Sequence, residues 1–219
     1  KIIDTILENL PGTSFSNAAL TLKIYGERSF YEKGPLLITH WGLSGPALLK
    51  LSAWAAREMM HTNYKAKIIV NWLGLERQDD VEKLLATIKN SNTKTNIGKA
   101  YPKELTRRFW LQLLIKCEIQ KEINWSEVSK NQLNRILNNL FKCELEVIGK
   151  SRFKEEFVEC GGVDLKEINF KTMESKVCPG LYFSGEVIDI DGITGGFNFQ
   201  SAWSLGWIAG SNMLMNNTY

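Results

Sequence analysis

The chain has 219 residues, 44% hydrophobic and 23% charged, with a formal net charge of +3. That length buries a sizeable core and that balance excludes a disordered chain. The small charge gives no argument for nucleic acid or an acidic membrane surface, and no apolar run reaches the roughly 18 residues a bilayer-spanning helix needs.

In chain order, Ile2 to Leu10 has mixed apolar spacing, suited to a short helix or a linker. Ala19 to Ile24 and Arg28 to Glu32 alternate as strands, with Gly26 placed for a hairpin turn. Leu36 to Thr39 is an apolar strand running into His40. Ser44 is a good N-cap, with Pro46 in the first turn where its missing N–H costs nothing. Ala47, Leu48, Leu51, Ala55 and Met59 then recur at helical spacing. Lys67 to Trp72 reads as a further strand.

From Arg77 to Phe141 helical periods dominate. Asp79-Asp80 opens a helix to Lys89, with acids at its start and a lysine at its end as the macrodipole favours. Pro102 precedes a helix over Lys103 to Cys117. Ser126 caps a third, and Asn131 to Leu140 carries another apolar stripe. Strand patterns return at Cys143 to Gly149, Glu155 to Glu159 and Asn169 to Thr172. The order predicts a mixed α+β fold: a barrel-like β subdomain (1–76 and 143–172) interrupted by a helical bundle (77–142), with 173–219 as a separate C-terminal piece. Cys117, Cys143, Cys160 and Cys178 are widely spaced with no Cys-x-x-Cys pair, which predicts reduced thiols in a cytoplasmic protein and no metal site. Cys160 reads as a small buried residue, its other reading being a reactive thiol, and most of the seven tryptophans read as core or domain-contact residues.

The most informative stretch is Gly180 to Ala202. Pro179-Gly180 launches a short apolar strand, Leu181 to Ser184. Gly185 frees the backbone at its end, Glu186 follows, and a loop with Asp189, Asp191, Gly192, Gly195 and Gly196 leads to a helix from Asn198 to Gly210. Ligands of open α/β sheets bind beyond the carboxyl ends of strands, where a glycine-rich turn feeds a helix N-terminus. The spacing fits a ligand site and fits equally a tight strand-to-helix turn without one.

Gly180-Leu181-Tyr182-Phe183, Gly185-Glu186-Val187, Asp189, Gly192 and Gly195-Gly196-Phe197-Asn198 together resemble the C-terminal FAD signature of a bacterial flavoprotein family, the NAD(FAD)-utilising dehydrogenases or aminoacetone-oxidase-like enzymes, which include a bile-acid enone reductase. Gly34 to Pro46, with Thr39-His40-Trp41-Gly42-Leu43-Ser44-Gly45-Pro46, and Gly161-Gly162-Val163 followed by Thr172 to Lys176 match the same family in the same order. Such proteins open with a strand and a Gly-x-Gly-x-x-Gly turn for the FAD pyrophosphate. This chain has no such fingerprint, so it resembles the C-terminal part of a longer protein, its last segment completing a Rossmann-like FAD domain whose larger share is missing.

The resemblance implies that Gly185 and Glu186 hold the ribityl chain, Glu186 accepting from its hydroxyls because a carboxylate only accepts. Asp189 would contact the ribityl or brace its own loop. Gly195, Gly196, Phe197 and Asn198 would aim backbone N–H groups at the pyrimidine edge of the flavin, where a positive helix end favours reduction. His40 is the candidate catalytic residue, able to pass a proton to a carbonyl substrate or to flavin; its other reading is a turn-bracing histidine. Thr172 to Lys176 reads as a strand-ending turn before Val177, its other reading being a cofactor contact by Thr172 or Ser175. The implied function is FAD-dependent hydride transfer between NAD(P)H and a small organic substrate, with no nucleic-acid or membrane partner. These residues alone would be inactive without the N-terminal FAD-binding segment. The alternative is a non-enzymatic interaction or structural module with no cofactor.

Overall fold

The computed structural model describes residues 1–150, 159–193 and 195–215. The chain divides into two compact units, 1–152 and 153–219.

The first unit is built on a five-stranded antiparallel sheet in the order β3-β2-β1-β4-β5, curled as a half-barrel. Its strands are β1 (Ser14–Lys23), β2 (Ser29–Thr39), β3 (Gly42–Ser44), β4 (Lys65–Asn71) and β5 (Cys143–Ile148). Alternation puts Leu20, Leu22, Leu36, Ile38, Ile68, Val70 and Leu145 in the core. The stretches 28–32 and 36–39 form one strand through Gly34-Pro35 rather than two. Pro35 has no N–H for a ladder, and β1 accommodates it with a bulge between Phe15 and Ala18 opposite. The bulged strand presses its Asn17 carbonyl against the turn after β4, where a Cβ on Gly74 would lie 1.7 Å from that oxygen.

Helix α1 (Pro46–Trp54) packs along β2 and is followed by the short α2 (Ala56–His61). Ala47, Leu51 and Ala55 are buried as their spacing predicts. Ser44 is not the cap: it pairs with Leu37 in β3, and Gly45 holds the N-cap position with Pro46 first in the helix. At residues 2–10 the helical element is a single 3-10 turn, Thr5–Leu7, capped by Asp4.

The segment between β4 and β5 carries three α-helices joined by loops: α3 (Gln78–Ser91), α4 (Arg107–Lys116) and α5 (Lys130–Phe141). Helix α4 begins later than Lys103 because Thr106 accepts from the Phe109 N–H. Ser129, not Ser126, caps the following helix, in a capping box with Gln132; Ser126 lies in a 3-10 turn. Helix and sheet share one core. Phe15, Trp72 and Phe109 meet pairwise with ring centroids 4.8 Å apart. Trp110 and Trp125 stack at 6.2 Å, and their indole N–H groups donate to the carbonyls of Ile97 (2.8 Å) and Ala100 (3.0 Å).

The second unit contains β6 (Ile168–Asn169), β7 (Glu174–Ser175) and the long helix α6 (Phe197–Met215). The described residues from 159 onward sit in this unit, whereas sequence patterning groups residues as far as 172 with the barrel. The strand expected over 155–159 lies almost wholly outside the described residues. The strand expected at 169–172 is only the two-residue β6, followed by a turn in which Met173 adopts φ +63°. Among the described residues no helix is long and apolar enough to cross a membrane.

Candidate functional site

The second unit has a small core of Ile168, Met173, Ile188, Leu205 and Ala209. Around it the Gly161-Gly162-Val163 stretch lies directly against the Gly185–Ile190 segment. The Val163 N–H donates to the Val187 carbonyl at 2.9 Å, and the Asp189 N–H returns a bond to the Val163 carbonyl at 3.2 Å. A Cβ on Gly162 would meet the Ile188 carbonyl carbon at 2.5 Å and the Asp189 nitrogen at 2.6 Å. Two motifs that are separate in sequence form one backbone scaffold.

Leu181 to Ser184 is not a strand as expected. It is extended and tied to the 173–175 turn by a bridge between Tyr182 and Glu174 and bonds from Phe183 N–H to the Met173 carbonyl (2.9 Å) and from Ser175 N–H to the Leu181 carbonyl (2.7 Å). A strand assignment needs a continued ladder, and the described residues offer one bridge. The side chains of Ser175 and Glu174 serve this turn. Ser175 Oγ accepts from the N–H groups of Val177 (3.1 Å) and Cys178 (3.0 Å), and Glu174 Oε1 accepts from Gly180 (2.8 Å).

Gly185 (φ +74°) opens a 3-10 turn, Gly185–Val187. Glu186 projects from it exposed, while Asp189 is half-buried. A Cβ added at Gly185 or Gly196 would meet nothing within 4 Å, and Gly195 holds φ +122°. This glycine floor is open to solvent, in contrast to the tight fit of Gly162. Helix α6 starts at Phe197, and its first bond runs from the Gln200 N–H to the Gly196 carbonyl, so N–H groups at its start have no acceptor within the helix. The Asn198 side chain turns back on the loop. Its Oδ1 accepts from the Gly192 N–H at 2.8 Å and its Nδ2 donates to the Gly192 carbonyl at 3.3 Å. That pair of bonds braces the loop and leaves only the Asn198 backbone for a ligand. The set combines an exposed carboxylate acceptor, backbone donors and an unobstructed glycine surface, which suits a ligand carrying hydroxyls and a heterocyclic imide edge. The structure brings Gly185, Glu186, Asp189, Gly195, Gly196, Phe197 and Asn198 into this one unit.

Helix α6 carries no charged residue. Leu205 and Ala209 face the small core, while Phe199, Trp203 and Trp207 form an outward stripe at four-residue spacing, Trp207 being 78% exposed. With Trp41 and Trp54 also exposed, only Trp72, Trp110 and Trp125 are core tryptophans.

His40 belongs to the first unit. It is not between a strand end and a helix start: with Trp41 it forms the two-residue tip of the β2–β3 hairpin, Thr39 pairing with Gly42 across it. It is exposed and lines an open cavity of about 630 Å³ with Ile3, Asp4, Glu8, Thr39 and Arg108. Arg108 donates to the Asn9 carbonyl, and Lys116 reaches both Asp4 oxygens at 2.7 Å. Sequence reading missed this cavity because Asp4, His40 and Arg108 share no spacing; only the fold gathers them.

Cys117 and Cys143 are buried and Cys160 and Cys178 exposed, with no disulfide among the described residues; Cys160 is therefore not the small buried residue expected. Burial pushes the Cys117 thiol up to about 11 and the Cys143 thiol up to about 12, which keeps both protonated and unreactive. Among the described residues no His, Cys, Asp and Glu cluster could hold a metal ion.

The chain is 31% identical over 185 residues to a ribosomal RNA dihydrouridine synthase of Escherichia coli, a match covering 82% of this chain and 42% of the relative. It is 34% identical over 206 residues to a ribosomal RNA dihydrouridine synthase of Haemophilus influenzae, covering 92% and 46%. To a 3-dehydro-bile acid delta(4,6)-reductase of Clostridium scindens it is 28% identical over 183 residues, covering 82% and 44%. It thus spans less than half the length of these relatives, all of them named as enzymes. Residues 3–158 match the family model described as HI0933-like protein barrel and H2TH domain. That match takes in the half-barrel sheet and the helical segment between β4 and β5, and the chain belongs to this family.

Proposed function

We propose that this chain is part of a flavin-dependent reductase that saturates a carbon–carbon double bond conjugated to a carbonyl, with uridine of ribosomal RNA as the substrate. The observation that carries this reading is the similarity, over 82% and 92% of the chain, to two proteins named as ribosomal RNA dihydrouridine synthases. The third relative's name describes a reductase of an unsaturated steroid. Uracil and an enone share the electronic feature that matters: the carbon β to the carbonyl accepts hydride, and its neighbour then takes a proton.

When bound and reduced by two electrons, FAD would supply hydride chemistry and return to its oxidised form. In this reading Glu186 accepts hydroxyl hydrogen bonds from the ribityl chain, Asp189 stiffens the turn beneath it, and backbone N–H groups of 195–198 meet the pyrimidine edge. The second unit closes a Rossmann-like FAD domain. The pyrophosphate and adenosine contacts come from the part of the relatives' length that this chain does not span, so the 219 residues alone are inactive. His40, beside the cavity of the first unit, is the candidate to deliver the proton. NADH or NADPH is the expected electron source, and the cytoplasm the expected setting. An RNA substrate departs from the expectation drawn from the small net charge, because a modest total can hide a segregated distribution.

The test uses the full-length protein. It should purify yellow and, with NADH or NADPH, convert uridine to dihydrouridine in unmodified ribosomal RNA transcripts, read by nucleoside mass spectrometry. A colourless protein that FAD cannot reconstitute refutes the reading.

A further inference from the structure

We infer that the helical segment between β4 and β5 is the surface that grips the phosphodiester backbone of the RNA substrate; this rests on the reading just given. Residues 77–142 contain thirteen lysines and arginines against seven acids, a net +6, whereas the whole chain carries +3. The other residues therefore sum to −3, and the positive charge of the molecule is concentrated on this segment. Such segregation is the electrostatic footprint of a polyanion partner.

Within the segment, exposed cations lie on two loops that meet and at the adjoining start of α4, with the exposed acids Glu104 and Glu122 among them. Lys94, Lys99, Lys103, Arg107 and Lys121 are all exposed. Lys94, Lys99, Lys103 and Arg107 make no side-chain hydrogen bond or ion pair among the described residues, and Lys121 has only the distant Glu122, at 3.8 Å. Elsewhere some of the segment's cations are paired: Arg77 with Asp79 at 2.8 Å and Arg135 with Glu118 at 3.1 Å. The unpaired cations sit on a rigid base. Ile97 N–H donates to the Ile123 carbonyl (2.9 Å) and Gly98 N–H to the Lys121 carbonyl (3.0 Å), fixing one loop on the other. The buried indoles of Trp110 and Trp125 hold the carbonyls of Ile97 and Ala100 from below. Arg107 stands at the first position of α4, whose first turn has no acid. A cation there opposes the helix dipole, a cost that a bound phosphate would remove. A preorganised cluster of this kind loses little backbone entropy on binding.

The experiment compares full-length wild type with Lys99→Gln/Lys103→Gln/Arg107→Gln and with a control of equal charge change on the half-barrel, Lys23→Gln/Lys33→Gln/Lys65→Gln. Binding of unmodified ribosomal RNA transcripts is measured across salt concentrations, with flavin absorbance and dihydrouridine formation as parallel readouts. The loop variant should bind roughly tenfold or more weakly, and its slope of log affinity against log salt should fall by about 2, while the control keeps the wild-type slope. Flavin content should be the same in all three. If the loop variant keeps wild-type affinity and slope while dihydrouridine still forms, this surface is not the RNA grip and the proposed activity stands. If wild type neither binds RNA nor forms dihydrouridine, both proposals fall. If the loop variant loses binding to phosphatidylglycerol vesicles but not to RNA, the partner is a membrane and the inference is overturned.

Discussion

Gly162 is seated so closely on the backbone of Ile188 that a methyl group there would come 2.5 Å from the Ile188 carbonyl carbon. The contact joins the glycine pair to the turn that bears Glu186. Gly162→Ala should therefore push the two segments apart and break the bonds between Val163 and residues 187 and 189. Overpacking costs about 1–3 kcal/mol. Faster hydrogen exchange at the Val163 and Asp189 amides checks it, and unchanged exchange would show that the loop yields without cost.

Gly196 should behave in the opposite way. A Cβ there meets nothing within 4 Å, so Gly196→Ala should leave melting of the protein unchanged. It should still weaken FAD retention in the full-length protein, because the methyl group occupies the space the ligand needs. Flavin release during dialysis, run beside a thermal melt, separates the two effects.

Glu186 is exposed, so its removal should cost the fold little. A charge-assisted hydrogen bond is worth roughly 1.5–3 kcal/mol, of which an amide keeps part. Glu186→Gln should then lower FAD affinity on the order of tenfold, and Glu186→Ala by more. Unchanged affinity with a lowered melting temperature would identify Glu186 as a structural residue instead.

Phe109 fills the junction of half-barrel and helices, fully buried against Phe15 and Trp72. Phe109→Ala should cost about 3–5 kcal/mol. The urea midpoint should fall accordingly. A loss under about 1 kcal/mol would mean that the site collapses around the gap.

The thiols of Cys117 and Cys143 are raised by burial to about 11 and about 12, whereas unfolded thiols ionise near 8.5. Folding thus favours the protonated form. The associated stability is complete below about pH 8.5 and is lost as pH climbs towards the folded values. Urea stability should decline between about pH 9 and 11, less steeply in Cys117→Ala/Cys143→Ala. At neutral pH a thiol reagent should label Cys160 and Cys178 quickly and the buried pair only on unfolding.

The elements of the first unit are readable wherever one residue period repeats. β1, β4, β5 and α3 follow local patterning, and Ala47, Leu51 and Ala55 announce the buried side of α1. Boundaries set by tertiary contacts are not readable. Ser44 has the chemistry of a cap but is taken up by pairing with Leu37, and Ser126 yields its role to Ser129, whose partner Gln132 completes a capping box. In the second unit, glycine spacing marks the Gly185–Asn198 loop. It does not show that Gly162 packs on Ile188, nor that the Asn198 side chain is spent on Gly192, since both depend on residues distant in sequence or on a turn geometry without a motif.

The outward aromatic stripe of α6 bears on how this polypeptide fares in solution. Phe199, Trp203 and Trp207 present a contiguous apolar strip to water, a surface that promotes self-association and engages chaperones and proteases. Its indoles also make a built-in optical gauge. While they stay wet, the tryptophan emission should be red-shifted and readily quenched by iodide. Any species in which the strip is covered, soluble or aggregated, should declare itself by a blue shift and by protection from the quencher.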